Sequence, residues 1–428
     1  MRRLIALALG LACVRLATAR SIEVAGYLAR YDAATVDVWP ERLQLLMGRP
    51  DVETRLVHTA RRRAEAARNP ARFFFYASFS SLDGRCGCWE SDLLDRLRRE
   101  HPEFVLTDEH QAPISTFLDQ LPAGRQLAVD VGNPAYVDWW ADRTLEEAAR
   151  GGWDGVFADN IVRGEFADGS WSATPVNPRT HRPYTTAEYR TDMLAALRRL
   201  RARYDRAGRL VIGNPGAAWR SFDDDPVVRD QTLALHGVEV EDFAYDFRGR
   251  PQSEADWLRQ LRYLDMANRH DVLTWVGGEG LMHRERREYV LASYLLTRRG
   301  RSVVGDLNAL RTWWPVLAID LGEARGDFYC LDASAPANPV TPCPATGRVV
   351  AREFVRARVL VNPGARRVLV PLGGTFRGLD GDAVPDPVPL EPASGRVLLH
   401  GRDDVKSDAE TSNRNAVMGP SRTVGRAP

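Results

Sequence analysis

Short apolar runs, each followed by a segment with apolar residues at helical spacing, recur between residues 22 and 320 and constrain the fold most. The eight runs are IEVAGYLARY from Ile22, RFFFYASF from Arg72, QLAVDVGNP from Gln126, WDGVFADN from Trp153, RLVIGNPG from Arg209, HGVEVEDF from His236, DVLTWVGG from Asp271 and RSVVGDL from Arg301. Strands that alternate with amphipathic helices form parallel sheets. Eight such units predict an α/β fold of the (β/α)8 TIM-barrel type. A doubly wound open sheet is the alternative, but GYLARYDAATVD lacks the Gly-rich turn expected after its first strand.

The sequence pattern changes at about Gly326. Short alternating apolar runs, separated by Pro, Gly, Asn and Asp, replace the helical spacing. We therefore predict a barrel over residues 20–325, followed by a small all-β sandwich over residues 326–402. Residues 403–428 are polar and are predicted to be disordered.

The first 19 residues have the composition of a secretory signal peptide. Two arginines precede an apolar run, and Ala17-Thr18-Ala19 provides a small-residue cleavage site. The mature protein is then expected to be secreted or periplasmic, with no membrane span. Lipid attachment at Cys13 is the weaker alternative, because Gly10 stands where a bulky aliphatic residue is usual.

Charge and lysine content exclude several classes of function. The formal net charge is +1, which argues against nucleic acid as a main partner because phosphate backbones require a clustered basic face. The only lysine is Lys406, in the predicted tail. Schiff-base, pyridoxal and Walker-type sites all need a lysine in the folded site, so we expect none of them and no cofactor.

The four cysteines beyond the signal peptide form two pairs. Cys330 and Cys343 flank a short loop, and we predict a disulfide between them in an oxidising compartment. Cys86 and Cys88 could form a local bridge, remain free thiols or bind a metal. The metal is the weakest of these alternatives because no His or Cys cluster accompanies them, and no metal site is predicted.

Polar residues stand at the carboxyl ends of most of the strand-like runs. In a (β/α)8 barrel the catalytic groups lie at these strand ends. These residues are Asp130 with Asn133, Asp159 with Asn160, Asn214, Glu239 with Glu241, Glu279, and Asp306. Several carboxyls at one opening suit acid–base chemistry on a neutral substrate. Glycoside cleavage requires two carboxyls in different environments, one protonated and one ionised.

Not all of these side chains are expected to be catalytic. Glu239 and Glu241 are two residues apart and face the same side of a strand, so we assign catalysis to only one of them. Most tryptophans are expected in the core, but Trp275 lies beside a strand end and could form a platform for a sugar ring. The substrate-binding residues we predict are Asp130, Asn133, Asn160, Asn214, Trp275, Glu279, Asp306 and Tyr27. For Asp130, Glu279 and Asp306 individually, a structural or positioning role is favoured over catalysis.

Three segments together resemble hypothetical glycosyl hydrolase family fifteen. They are the Asp130-Val131-Gly132-Asn133-Pro134 segment, the DGVFADN strand from Asp154 to Asn160 and the Gly237-Val238-Glu239-Val240-Glu241 strand. The family implies a (β/α)8 barrel with glycosidase activity. Carried over by position, it implies Asp159 as nucleophile or base and Glu241 as general acid. His236 departs from the aspartate that is usual before the last of these strands.

The leading hypothesis is therefore a glycoside hydrolase that cleaves an extracellular or periplasmic polysaccharide or oligosaccharide, with Asp159 and Glu241 as its carboxyl pair. The alternative is a non-catalytic carbohydrate-binding barrel, which would bind glycan equally well after Asp159→Asn. A third hypothesis is a barrel enzyme that binds a phosphorylated metabolite at VGGEG, from Val276. The predicted export signal and the lack of lysine argue against it.

Overall fold

The computed structural model divides the chain into two compact units, Ile22–Trp314 and Pro315–Pro428 with Met1–Ser21. It describes residues 24–27, 43–48, 58, 61–62, 65–66, 71–84, 89–118, 121–161, 164–277, 281, 283–306, 317, 319–332, 335–340, 343 and 347–401. Several predictions lie outside these residues, namely those for the signal peptide, Cys13, Cys86, Cys88, Glu279 and the tail. For Tyr27 and Asp306 the backbone is described but the side chain is not.

A parallel sheet that curls round on itself organises the unit Ile22–Trp314. Its described strands are β1 Val24–Tyr27, β2 Leu43–Gly48, β3 Arg72–Ser78, β4 Ser81–Asp83, β5 Gln126–Ala128, β6 Gly155–Asp159, β7 Val176–Asn177, β8 Arg182–Pro183, β9 Leu210–Gly213, β10 Gly237–Val240, β11 Leu273–Val276 and β12 Ser302–Asp306. Eight of them pair in parallel in the order β1-β12-β11-β10-β9-β6-β3-β2, and β2 pairs with β1. The carboxyl ends of these strands consequently lie at one end of the sheet.

Helices accompany much of this sheet. They are α1 Trp89–Glu100, α2 Pro134–Gly151, α3 Thr186–Arg206, α4 Pro226–Leu233, α5 Glu254–Arg269 and α6 Arg284–Thr297. In the described part of the chain, helices of this set follow β3, β6, β9, β10 and β11. The predicted mixed α/β class is confirmed, whereas a helix after each of the eight strands stays a prediction.

One predicted barrel strand is wrong. The run from Gln126 forms β5, which pairs antiparallel with β4 outside the curled sheet. Its place is taken by LQLLMG of β2, which pairs in parallel with β1 and β3. All three residues of β5 are buried, and a buried apolar run has the same composition whichever strand it pairs with. Apolar pattern therefore located a strand correctly without showing which sheet it belongs to.

Local sequence signals set the helix boundaries. Asn133 caps α2 by accepting a hydrogen bond from the Ala135 N–H at 3.0 Å, and Pro134 follows at a position where no N–H is needed. Gly152 ends the same helix in the left-handed conformation, with φ of 69°. A reciprocal capping box between Thr185 and Glu188 begins α3.

Alternate residues of the curled sheet point inward and form an apolar core. The buried members of this core are Leu45, Met47, Phe74, Phe157, Ile212, Leu273, Trp275 and Val303. Full burial of a side chain of this size contributes about 1.5–3 kcal/mol. Since strand residues alternate in direction, the residue two positions beyond an inward apolar residue points inward too. Asp159 follows Phe157 in this way, and Asn214 follows Ile212.

The second unit contains antiparallel sheets. Its strands are β13 Tyr329–Asp332, β14 Ala335–Val340, β15 Val349–Glu353, β16 Ala357–Asn362, β17 Val368–Val370, β18 Phe376–Arg377, β19 Val388–Leu390 and β20 Ser394–His400. Six pair in the order β14-β13-β15-β16-β20-β18, and β17 pairs with β19. Side chains from both sheets share one buried cluster, which includes Leu360 and Leu390. The predicted Cys330–Cys343 disulfide is present. The sandwich architecture stays a prediction.

Among the helices of the described residues, none is long and apolar enough to cross a membrane.

Close approach of β6 and β9 makes Gly155 sensitive to substitution. A Cβ at Gly155 would lie 2.0 Å from the Leu210 carbonyl oxygen and 2.8 Å from its carbon, both of which are backbone atoms. We expect Gly155→Ala to lower the free energy of unfolding by about 1–3 kcal/mol or more, measured by denaturant titration. Gly374→Ala is the control, because its new methyl group would meet nothing closer than 3.5 Å. Equal stability of the two variants would contradict the packing described here.

Candidate active site

A cavity of about 1010 Å³ opens at the carboxyl ends of the strands of the curled sheet. Its walls include Ser78 at the end of β3, Asp159 at the end of β6, Asn214 after β9 and Glu241 after β10. Of the ten site residues predicted from sequence, Asp159, Asn160, Asn214 and Glu241 line this cavity. Both predicted catalytic carboxyls are therefore in one site.

Asp159 is a half-buried residue whose carboxyl has several hydrogen-bond donors around it. The Tyr76 hydroxyl donates to its Oδ2 atom. Burial raises the pKa of Asp159, whereas hydrogen bonds from Tyr76, from the Asn160 backbone N–H and from the Asn214 side chain lower it. These donors offset part of the cost of holding a negative charge at the base of the cavity.

Asn214 connects the two predicted catalytic carboxyls. Its Nδ2 atom donates to Oε2 of Glu241 at 3.0 Å, and its side chain also hydrogen-bonds to Asp159. The Gly216 N–H donates to Asn214 Oδ1 at 2.9 Å, which orients the amide so that its N–H groups face the carboxyls. One fixed amide therefore positions both acidic groups.

Asn160 occupies a strained backbone conformation beside Asp159. Its φ of 58° lies in the left-handed region, which asparagine tolerates better than most side chains. Its Nδ2 atom donates to the Ser78 hydroxyl at 3.0 Å, and its carbonyl oxygen accepts from the Ser80 hydroxyl. These bonds hold the turn that follows Asp159, consistent with a site at which strain is maintained by its surroundings.

Glu239 lies below this pair, inside the sheet. Only 1% of the residue is exposed, and its register partner on β11 is the core residue Trp275. Burial, with the nearby charges of Glu241 and Asp159, raises the pKa of Glu239 well above its usual value. Glu241 rather than Glu239 lines the cavity, which agrees with the expectation that only one of them is catalytic.

Glu90 is a cavity carboxyl that sequence reasoning missed. It lies in the first turn of α1, and its Oε1 atom accepts a hydrogen bond from the Asp83 N–H at 2.9 Å. Burial raises the pKa of Glu90 to about 7, against the lowering effect of hydrogen bonds from Asp83 and Ser78. An acidic residue in a first helical turn is ordinarily explained by the helix dipole, so its sequence position gave no signal of this role.

Asp130 and Asn133 do not lie at the cavity, in contrast to their predicted roles in substrate binding. Asp130 is 3% exposed and forms an ion pair with Arg179, whose Nη1 atom lies 3.0 Å from Oδ2. Burial raises the pKa of Asp130, and the Arg179 charge opposes that shift. Asn133 is the N-cap of α2. Both residues follow β5, which explains why they miss the opening of the curled sheet.

Trp275 also differs from its predicted place. The side chain is fully buried in the core of the curled sheet, with its ring centroid 5.6 Å from that of Phe157 in an edge-to-face arrangement. It consequently offers no surface to a substrate. The aromatic side chains that line the cavity are Tyr76, Trp89, Phe117, Trp171 and Phe247.

Comparison with models of known protein families identifies the family of this chain. The model of a family described as hypothetical glycosyl hydrolase family 15 matches residues 85–339, more than half of the chain. The chain belongs to hypothetical glycosyl hydrolase family 15. Membership supports a glycoside hydrolase-like function for this family 15 protein. A search of curated proteins gives no match.

Several solved structures are similar to the family 15 chain at low sequence identity. Aspergillus fumigatus Ega3, in complex with galactosamine, is 12% identical with a TM-score of 0.41 over 68% of this chain and 93% of its own. The GH36 α-galactosidase AgaA of Geobacillus stearothermophilus is 11% identical, with a TM-score of 0.46 over 89% of this chain and 56% of its own. A maltogenic α-amylase, AmyB of Thermotoga neapolitana, is 12% identical, with a TM-score of 0.48 over 89% and 96%.

Within the described residues of the family 15 chain, no group of three or more His, Cys, Asp or Glu side chains could hold a metal ion. The polar side chains at the described walls of the cavity include carboxyls, amides, hydroxyls and the guanidinium groups of Arg220 and Arg248.

The raised pKa of Glu90 predicts a pH-dependent stability. The folded protein binds this proton more tightly than the unfolded chain, in which the pKa is 4.5, so stability is lost as pH rises from 4.5 towards about 7. We expect the free energy of unfolding of wild type, relative to Glu90→Gln, to fall by up to about 3 kcal/mol over this window.

Denaturant titrations at half-unit pH steps measure this difference. Glu109→Gln is the control, because the Glu109 side chain is 77% exposed. The free energy of unfolding of this control is expected to vary with pH in parallel with that of wild type. A Glu90→Gln curve that also runs parallel to wild type would contradict the prediction.

Proposed function

We propose that this protein is a glycoside hydrolase that uses Asp159 and Glu241 as its catalytic carboxyl pair. The observation that carries the proposal is the single amide of Asn214, which hydrogen-bonds to both carboxyls at the opening of the curled sheet. We further propose that the strands and helices complete a (β/α)8 barrel, in which this opening is the usual position of the catalytic groups.

In the proposed reaction, protonated Glu241 donates its proton to the glycosidic oxygen as the bond to the anomeric carbon breaks. Asp159, ionised, either attacks the anomeric carbon or removes a proton from the attacking water. Burial raises the pKa of Asp159, and the hydrogen bonds from Tyr76, Asn160 and Asn214 oppose that shift, which helps to maintain the ionised form that either role requires. A separation of about 5–5.5 Å between the carboxyls produces retention, and about 6.5–9.5 Å produces inversion.

The substrate we propose is a polysaccharide or oligosaccharide. The cavity is at the upper end of the volume range of small-molecule sites, so it can accept more than one sugar ring. Asn160 and Asn214 supply amide groups at its base. We propose a secreted or periplasmic location, which the composition of residues 1–19 and the Cys330–Cys343 disulfide support.

Reducing-end release from a panel of plant and bacterial polysaccharides tests this function. We expect Asp159→Asn and Glu241→Gln each to lower the rate by at least about 10²-fold, because each removes a group that exchanges a proton or forms a bond in the transition state. Circular dichroism confirms that each variant is folded.

Glu109→Gln, a surface carboxyl substitution, is the matched control and is expected to retain full activity. Unchanged release by Asp159→Asn would exclude this carboxyl pair. Glycan binding without release, equal in all the variants, would instead identify a carbohydrate-binding barrel.

A further inference from the structure

Phe247 is an aromatic side chain exposed at the wall of the cavity. It is 61% exposed, and in the described part of the chain the other exposed large hydrophobic residues are Val355 and Leu369, at 37% and 53%. Both of those belong to the second unit. Among the described residues, Phe247 is thus the one exposed large hydrophobic side chain that lines the cavity with Asp159 and Glu241.

The turn that carries Phe247 is held by other residues. The Gly249 N–H donates to the Asp246 carbonyl at 2.8 Å, which places Phe247 at the second position of a four-residue turn. Asp246 Oδ1 accepts from the backbone N–H groups of Arg248 and Arg250, each at 2.9 Å. Aspartate first and glycine fourth are the residues this turn favours, and Gly249 has φ of 68°. The turn therefore does not require an aromatic residue at its tip.

The base of the turn is anchored to the unit. Tyr245 is buried, with the Arg286 guanidinium 5.1 Å above its ring and the Tyr289 ring in edge contact at 5.6 Å. The Gln252 N–H donates to the Ala244 carbonyl at 2.9 Å and closes the turn from the other side. The tip consequently has a defined position relative to Glu241, six residues earlier in the chain.

We infer that Phe247 is a platform for a sugar ring of the polysaccharide, at a position beyond the glycosidic bond whose oxygen Glu241 would protonate. The inference rests on the proposed function and adds a binding position to it. The apolar face of a pyranose ring packs on an exposed aromatic ring, which here loses no contact with the protein core on binding. A held turn presents that ring at little entropic cost, because the backbone is already ordered.

Affinity electrophoresis measures the binding step without cleavage. Native gels contain starch, dextran, galactan or xylan, and every protein carries Asp159→Asn to prevent hydrolysis. We expect retardation by at least one of these polysaccharides, weakened about tenfold by Phe247→Ala and retained by Phe247→Trp. Leu369→Ala, which removes an exposed apolar side chain from the other unit, is the control and is expected to change nothing.

Kinetics on the chain with both carboxyls intact separates binding from chemistry. Phe247→Ala is expected to raise KM for the polysaccharide about tenfold and leave kcat and the thermal unfolding temperature unchanged.

Equal retardation of the Phe247→Ala and parent proteins would overturn the inference, as would no retardation of the parent in any of the four gels. Release of reducing ends at the same rate with and without Phe247→Ala would contradict the role of Phe247 in binding and would still support hydrolase activity. Retardation that depends on Phe247, without release of reducing ends by the chain with both carboxyls intact, would support the role of Phe247 in binding and contradict hydrolase activity.

Discussion

The site depends on holding several carboxyls close together in a partly desolvated cavity. Burial raises the pKa values of Asp159, Glu90 and Glu239, and the nearby charges of Glu241 and Asp159 raise that of Glu239 further. Hydrogen-bond donors oppose these shifts at selected positions. Asp159 receives three such donors, whereas none of the described residues gives Oε1 of Glu239 a partner. The local environment thus gives chemically similar carboxyls different tendencies to ionise.

The positions of the proposed catalytic residues follow from strand periodicity. An inward apolar residue predicts an inward residue two positions later, and the rule places Asp159 beyond Phe157 and Asn214 beyond Ile212. That logic succeeded for Asp159 and Asn214, whose runs belong to the curled sheet. It failed for Asp130 and Asn133 because β5 pairs antiparallel with β4, and strand pairing is a non-local property that composition does not record.

Trp275 and Glu90 show why the positions of some side chains could not be predicted from the sequence. Trp275 has the sequence context of a strand end, but the sheet continues past it and encloses the indole. Glu90 has the context of an ordinary helix start, but its helix begins beside the cavity, so the carboxyl is buried next to Ser78. In both cases the burial of the side chain depends on neighbouring elements of the fold, which the local sequence does not encode.

Asp130 and Asp159 are the same type of residue, but their hydrogen-bond partners differ in charge. Asp130 is buried with a cationic partner, Arg179, and this pairing of charges stabilises the fold around α2 and α3. Asp159 is half-buried beside neutral donors, Tyr76 and Asn214, which stabilise its charge without neutralising it. A carboxylate that must react needs the second arrangement, because a guanidinium bound to it would compete with the substrate for its lone pairs. The neutral donors, more than burial alone, support the proposal that Asp159 rather than Asp130 is the reactive carboxylate.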